Sequence, residues 1–447
     1  MAEFSVQEQL MLELVNRARL DPNGEATRFH ISLNDHLPAG TLTGAAKPVL
    51  APNELLVDSA RAHSQFMLDH DKFAHEGIGD GTPQTRMTTA GYVFTLPFAL
   101  GENIAIQGTT GAIDLTAMTL ANAEGLFKSA GHRENILSTD FRELGIGIEQ
   151  GSFIFSGDPT VYNSVDATQN FARVGSDFFI TGVCITDADH DNFYDIGEQR
   201  AGITIEVRQG GLLVNNDTSA TAGGYAVEVS GASSDVTFLG GDLVGAVNCT
   251  VNTGAGNVKV DLAGSAEILC SGSVTLGSGA LDATLLGVGA LNATGNAEVN
   301  ALVGNKGANS LSGLDGNDSL SGVGGADHLQ GGIGNDRLTG GGGRDFLSGG
   351  ADHDIFDFNF LTDSGKTATT RDVITDFKHL IDDIDLSTID AVTGGADNAF
   401  KFIGKSAFSH VAGQLHYSLM NWPARSTTRP SSRATSTAMR WRISRSN

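Results

Sequence analysis

The chain has 447 residues, a formal net charge of −24 at pH 7 and 40% hydrophobic residues. That length accommodates about two to four domains with real cores. The acidity argues against nucleic acid and anionic membrane surfaces as partners and suits a calcium-rich exterior. No run of about eighteen apolar residues occurs, so no transmembrane segment is expected. The cysteines, Cys184, Cys249 and Cys270, are too few for a disulfide framework and are expected to be small buried apolar residues.

The first twenty residues alternate charged and apolar types and lack the continuous apolar core of a signal peptide, so any export is expected by another route. Ser5 with Glu8 forms a capping box. Leu10, Met11, Leu14, Val15 and Ala18 then share one helical face until Asp21-Pro22 stops it. A second helix is predicted from Asn53, with Leu56, Ala60, His63 and Met67 on one stripe, and a third within 112–129. SAGHRENIL reads as a loop, whereas GIGIEQG, SFIFS and VDATQNFAR read as strands. The expectation is a mixed α+β domain of helices on an antiparallel sheet.

Four phrases, ELVNRARLDP, LLVDSARAHSQFML, GENIA and SAGHRENIL, resemble the bacterial branch of the CAP superfamily (SCP-like domains) in wording, order and spacing. The resemblance covers about residues 5–174 and implies an α-β-α sandwich, assigned here to 1–176. It also implies a cleft lined by His63, Glu102 and His132. His75 and Arg86 belong to the same pattern and are expected to brace the cleft, with His75 a possible third ligand. The second glutamate of many members falls near Ser129, so a four-residue acid and histidine site does not transfer. Two imidazoles and a carboxylate can hold Zn2+ or another divalent ion at His63 and His132, or relay a proton. The bland alternative makes His63 a core histidine, Glu102 a turn cap and His132 a loop brace. His30, His36 and His70 carry no spacing signal and are expected to be solvated.

After Phe171 the chain turns β-rich around an acidic loop. Asp187, Asp189 and Asp191 take places one, three and five, Phe193 offers a carbonyl at seven, Asp195 stands at nine and Glu198 at twelve. That is the ligand order of a twelve-residue calcium loop, with Asn192 where glycine is usual. Flanking strands rather than helices resemble the calcium-binding B-type modules of bacterial surface proteins. The resemblance implies a small β-sandwich over 177–240. Residues 241–303 form a degenerate Gly- and Ala-rich β segment, and GNAEVNALV at its end has Asn300 at the place that aspartate takes in the repeats after it.

Residues 304–357 read in nines as GNKGANSLS, GLDGNDSLS, GVGGADHLQ, GGIGNDRLT, GGGGRDFLS and GGADHDIFD. The sixth place is Asn309 and then Asp318, Asp327, Asp336, Asp345 and Asp354; the eighth is Leu in five units and Phe356 in the last. Glycine permits turns with positive φ, aspartate and carbonyl oxygens suit calcium, and one apolar residue per unit points inward. Eight Asp against three Lys or Arg leave a charge that calcium must neutralise. These nonamers resemble the RTX repeats of secreted bacterial proteins, which implies a parallel β-roll, Ca2+ as folding partner and a C-terminal signal read by a type I secretion apparatus.

Residues 358–418 resemble the segment that follows the nonamers in serralysin-type proteins, where it caps the roll, although no H-E-x-x-H motif appears in the chain. The basic tail 419–447 has six Arg and no Asp or Glu. It is read as out of frame, which would remove the export signal; the competing reading is an anion-binding arm. The multidomain chain, α+β then all-β, is thus expected to be a secreted extracellular calcium-binding protein whose CAP domain binds a small ligand, lipid or protein partner. The alternatives are a metal-assisted hydrolase using His63, Glu102 and His132, and an adhesion or structural protein acting through its β modules.

Overall fold

The computed structural model describes residues 3–389, apart from 78, 177, 255, 366 and 368, and three further strands named below. It divides into two compact units, Met1–Gly272 with Ser278–Ala280, and Ser273–Gly277 with Leu281–Asn447.

The first unit opens on the expected capping box. Glu8 N–H donates to the Ser5 hydroxyl, the Ser5 N–H donates to the Glu8 carboxylate at 2.7 Å, and α1 runs Val6–Leu20. Asp21 ends α1 and at once caps a second helix, α2 (Pro22–Arg28), with proline in its first turn. There follow β1 (Ala51–Pro52), α3 (Glu54–Asp69) capped by Asn53, α4 (Pro83–Thr89), β2 (Phe98–Thr109), α5 (Leu115–Lys128), α6 (Ala130–Leu137), β3 (Glu143–Ile154) and β4 (Val161–Val174). Two expectations are corrected. SAGHRENIL is not a loop but α6, held by the fully buried Arg133, whose guanidinium donates to the carbonyls of Leu33, Phe127 and Lys128. GENIA lies inside β2, and GIGIEQG and SFIFS merge into β3.

The sheet order is β1-β3-β4-β2, antiparallel except for the parallel β1–β3 pair. On one face Met11, Val15, Phe127 and Ile136 pack with Leu144, Ile146, Ala167 and Phe171 of the sheet. On the other, α3 lies so close to β3 that a Cβ on Gly147 would stand 2.1 Å from the Arg61 nitrogen. Helices on both faces give the α-β-α sandwich.

The rest of the first unit is a two-sheet sandwich. β5 (Phe178–Ile185) pairs with β8 (Gly224–Val229) and with β11 (Val258–Ala263), which pairs with β12 (Glu267–Cys270). The facing sheet joins β6 (Ile203–Gln209), β7 (Leu212–Thr218), β9 (Ser233–Gly240) and β10 (Val247–Asn252) in the order β10-β9-β6-β7. Cys184, Cys249 and Cys270 are free and buried there. Lys259 is buried between Glu13 of α1, at 2.9 Å, and Asp261 of β11, a paired cluster tying the sandwich to the helical layer.

The second unit is a parallel β-roll. β13 (Val274–Leu276), β15 (Asn292–Thr294), β17 (Ser310–Asp315), β20 (His328–Ile333), β23 (Phe346–Ala351) and β25 (Val373–Ile374) form one ladder. β14 (Asp282–Leu285), β16 (Ala301–Val303), β18 (Ser319–Ser321), β21 (Arg337–Thr339), β24 (Ile355–Asp357) and β26 (Asp383–Asp385) form the other, with β19 (Gly324–Gly325) and β22 (Gly342–Gly343) pairing beside them. Within the repeats, successive strands of a ladder are one coil, or two nonamers, apart, so Leu311 pairs with Leu329 and Leu329 with Leu347, while Leu320 pairs with Leu338 and Leu338 with Phe356. The segment expected to cap the roll instead lengthens both ladders, with Leu347 paired to Ile374 and Phe356 to Ile384. Beyond it are strands Lys401–Phe402, Gln414–Leu419 and Met439–Ile443. Most of the tail read as out of frame lies outside the described residues. Among the described residues no helix is long and apolar enough to cross a membrane.

One buried group stands apart. Asp166, in mid-β4, has no exposure and neither carboxylate oxygen has a hydrogen-bond partner, and burial raises its pKa to about 8. The folded state holds a proton that the unfolded chain releases, so the cost is absent below about pH 4 and grows until pH passes the folded value. Asp166→Asn should therefore raise the calorimetric melting transition of the first unit at pH 7.5, by on the order of 1–4 kcal/mol, and leave it unmoved at pH 4. Equal shifts at both values would contradict this assignment.

Candidate functional site

The cleft is built where α3, the loop before α4, and β2 meet. α3 delivers His63, which is fully buried. Its Nδ1 lies 2.8 Å from Asp80 Oδ2, and its Nε2 lies 3.8 Å from Glu102 Oε1. Asp80 sits in the turn just before α4, and Arg86 on that helix donates to Asp80 at 2.8 Å and to the Glu102 carboxylate. Arg86 also donates to the carbonyls of His75, at 3.1 Å, and Gly81, at 3.0 Å. His75, half exposed, places Nδ1 2.9 Å from Glu102 Oε1. His132 on α6 is half-buried, close enough to His75 for charge on one to disfavour charge on the other. Its carbonyl accepts from Asn103, and Asn135 donates to the Glu102 carbonyl.

His63 and Glu102 are thus neighbours, and His132 joins them through His75. Arg86 and His75 are integral partners of the two acids rather than remote braces. Asp80 was missed: it is a lone acid in a Gly-rich turn, and only its place between His75 and Arg86 hinted at a role. His30, His36 and His70 are exposed.

Burial lowers the His63 pKa, and Arg86 adds to that, against the opposing pull of Glu102 and Asp80. His132 is lowered by burial, then by His75. His63 is therefore neutral at pH 7. With Nδ1–H donating to the Asp80 carboxylate, Nε2 is left as a bare acceptor, buried and without a partner. The expectation of Zn2+ at His63 and His132 is not supported. The Arg86 guanidinium already bridges both acids, placing a fixed positive charge where a divalent ion would need a negative one.

The acidic loop lies between β5 and β6. Asp187, Asp189 and Asp191 bring carboxylate oxygens within 4.8 Å of one another. Glu198 turns back to accept the Ala188 N–H at 2.6 Å, and Asn192 adopts φ 60°, the left-handed turn its place requires. Asp195 has its pKa raised by burial and then by Asp191, Asp189 and Glu198.

In the roll, Asp318, Asp327, Asp336, Asp345 and Asp354 are all buried. Each offers one oxygen to a backbone N–H 18 residues earlier. Asp336 accepts from Asp318 at 2.9 Å, Asp345 from Asp327 at 2.8 Å and Asp354 from Asp336 at 3.1 Å. The other oxygen, Oδ2, has no partner in any of the five. Burial lifts their carboxyls, Asp327 to about 7 and Asp336, Asp345 and Asp354 to about 6. A row of bare, desolvated carboxylate oxygens beside glycine carbonyls is the donor set of Ca2+, and the residues fit that ion. Sequence reasoning missed two members. Asp372 accepts the Asp345 N–H at 2.9 Å and also leaves Oδ2 bare, and Asp382 accepts the Asp354 N–H at 3.3 Å. Their steps are 27 and 28 residues instead of 18, which hides them from a fixed period.

Two upstream nonamers solve the same problem with an amide. Asn300 and Asn309 accept the N–H four residues earlier, at 2.8 and 2.7 Å, and donate from Nδ2 to the carbonyls of Leu281, at 2.8 Å, and Leu291, at 3.1 Å. An amide reaches the earlier coil with its own donor, whereas a carboxylate has none to offer.

Residues 12–158 match the model of the cysteine-rich secretory protein family, CAP, and 294–329 and 321–356 match the RTX calcium-binding nonapeptide repeat. The uncharacterized protein YkwD of Bacillus subtilis (strain 168) is 36% identical over 101 residues, 22% of this chain and 35% of the relative, so the chain spans about a third of its length. Two solved structures are also similar. An extracellular protein containing a SCP domain from Bacillus anthracis str. Ames is 26% identical over 37% of this chain and 40% of its own, at TM-score 0.24. An outer surface protein from Borrelia burgdorferi is 10% identical over 39% of this chain and 97% of its own, at TM-score 0.23.

In excess chelator, amide hydrogen exchange should remain slow through Leu311 and become fast from Leu320 onward. Millimolar calcium should slow both. Uniform protection across the roll in chelator would contradict the division between amide and carboxylate coils.

Proposed function

We propose that this chain, a calcium-binding protein with a CAP domain and RTX repeats, is exported by a type I apparatus, folds its roll on meeting calcium, and presents the CAP cleft to an extracellular ligand. Calcium at about 0.1–1 mM is the range in which extracellular calcium modules work, and the bare Asp oxygens supply the need for it. The loop at Asp187, Asp189, Asp191, Phe193, Asp195 and Glu198 is proposed as a second calcium site of the same kind.

The observation that carries the ligand reading is the His63 ring. Asp80 fixes its orientation, and its buried Nε2 accepts nothing. A buried acceptor left bare costs about 1–3 kcal/mol, which a ligand hydroxyl or amine would recover. The half-exposed His75 stands beside it, sharing Glu102 Oε1 with His63. The ligand class is thus a small molecule or peptide end bearing hydroxyl or amino donors.

A hydrolase reading has an oriented base in His63–Asp80 but, among the described residues, no nucleophile beside it. Ser64, the nearest hydroxyl in sequence, is fully buried and bonded to Gly147 O and Thr168, both at 2.9 Å. Arg86 tells against metal-activated water. These features favour a recognition role over a hydrolytic one.

Saturation-transfer NMR of the full chain in millimolar calcium, against a panel of polyols, amino sugars and short peptides, should find ligands whose affinity falls at least tenfold in His63→Gln and in Asp80→Asn. Equal affinity in both variants would overturn the cleft reading. Stoichiometric zinc lost in a His63→Ala, His132→Ala double variant would restore the metal reading.

A further inference from the structure

A cavity lined by α1, α5 and the acidic loop lies outside the cleft just described. It measures about 340 Å³, within the roughly 300–1,000 Å³ typical of small-molecule sites. α1 contributes Leu10 and Leu14, α5 contributes Ala123 and Phe127, and the remaining wall is Phe193 and Ile196 of the acidic loop. Its rim carries Arg17 and Arg28 beside Asp191 and Asp195.

We propose that the calcium loop at 187–198 is the movable wall of this cavity, so that a small, mostly apolar molecule is held there only while the loop carries calcium. The inference rests on reading that loop as a calcium site.

The loop is fastened to α1 through the same residues that shape the wall. The Arg17 guanidinium lies 4.7 Å from the centre of the Phe193 ring and is itself paired with Glu25 at 2.8 Å. Tyr194, the next residue, is buried within electrostatic reach of Glu13 on α1. The places that calcium would draw together, Asp191, the Phe193 carbonyl and Asp195, alternate with the side chains that form the wall. With the ion bound, Phe193 is fixed at both backbone and ring. Without it, like charges crowd one turn: carboxylate oxygens of Asp187, Asp189 and Asp191 lie within 4.8 Å of one another. Their repulsion falls on the segment 191–196, and the wall is the part of the cavity that yields. α1 and α5 belong to the core that the sheet braces, and have no such freedom.

The cavity's chemistry sets the ligand class. Aliphatic and aromatic side chains make up most of the lining, and Arg17 and Arg28 there are both paired with Glu25, so a small, mostly apolar body fits. 1-Anilinonaphthalene-8-sulfonate has that shape and serves as the probe. In 5 mM calcium, which keeps the roll folded, the full chain should bind it saturably with blue-shifted emission. Ala123→Phe fills the cavity and Asp187→Asn with Asp189→Asn removes the ion without altering a lining residue. Each should weaken binding at least tenfold while the far-UV spectrum is kept. Unchanged binding in Ala123→Phe would place the dye elsewhere and overturn the site. Unchanged binding in the double variant, with one calcium lost by calorimetric titration, would overturn the coupling alone. A double variant that keeps its full calcium complement would overturn the loop's calcium reading instead.

Discussion

The second unit depends on one contact repeated along its length: an aspartate oxygen accepting a backbone N–H from the coil before it, with the second oxygen left bare. The accepted bond fixes the step between coils, and the bare oxygen makes the fold conditional on a cation. Coils also approach closely enough that side chains are impossible at some points. A Cβ on Gly343 would stand 1.4 Å from the Gly325 carbonyl oxygen, so the tight pitch and the glycine content are one constraint. Where asparagine replaces aspartate, at 300 and 309, the same geometry closes on itself. The roll thus changes along its length from amides that supply their own donor to carboxylates with a bare oxygen, beginning with Asp318.

The first unit resolves buried charge differently. Arg86 between Asp80 and Glu102, Lys259 between Glu13 and Asp261, and Arg133 among carbonyls each neutralise or satisfy a buried polar group with a fixed partner. His63 Nε2 and both Asp166 oxygens are among the buried polar atoms of that unit left without a partner. One lies at the cleft and the other inside the sheet, which is why the first invites a ligand and the second reads as a cost to folding.

Much of this was legible in the chain. The capping box at Ser5, the stripe around His63, the six-place order from Asp187 to Glu198 and the period of nine are local or strictly repeated signals, and the elements formed where they fall. What escaped depends on tertiary contacts. α6 begins after Ser129 without a side-chain cap and is held by Arg133 reaching across the fold, so no local signal announces it. Asp80 matters only because folding brings it to His63, 17 residues away. Asp372 and Asp382 continue the ladder at an irregular step that no fixed period detects. The zinc expectation failed for a similar reason: the sequence shows the two imidazoles, while the guanidinium lying across the acids appears only in the fold.

Calcium as the organiser of the roll, and of the roll rather than the CAP domain, is the central claim. Far-UV circular dichroism of the full chain during calcium titration from excess chelator to 5 mM tests it most directly. The expected result is a calcium-dependent gain of β signal over a constant helical contribution from the CAP domain. A β signal already complete in chelator, or a helical signal that rises with calcium, would contradict it.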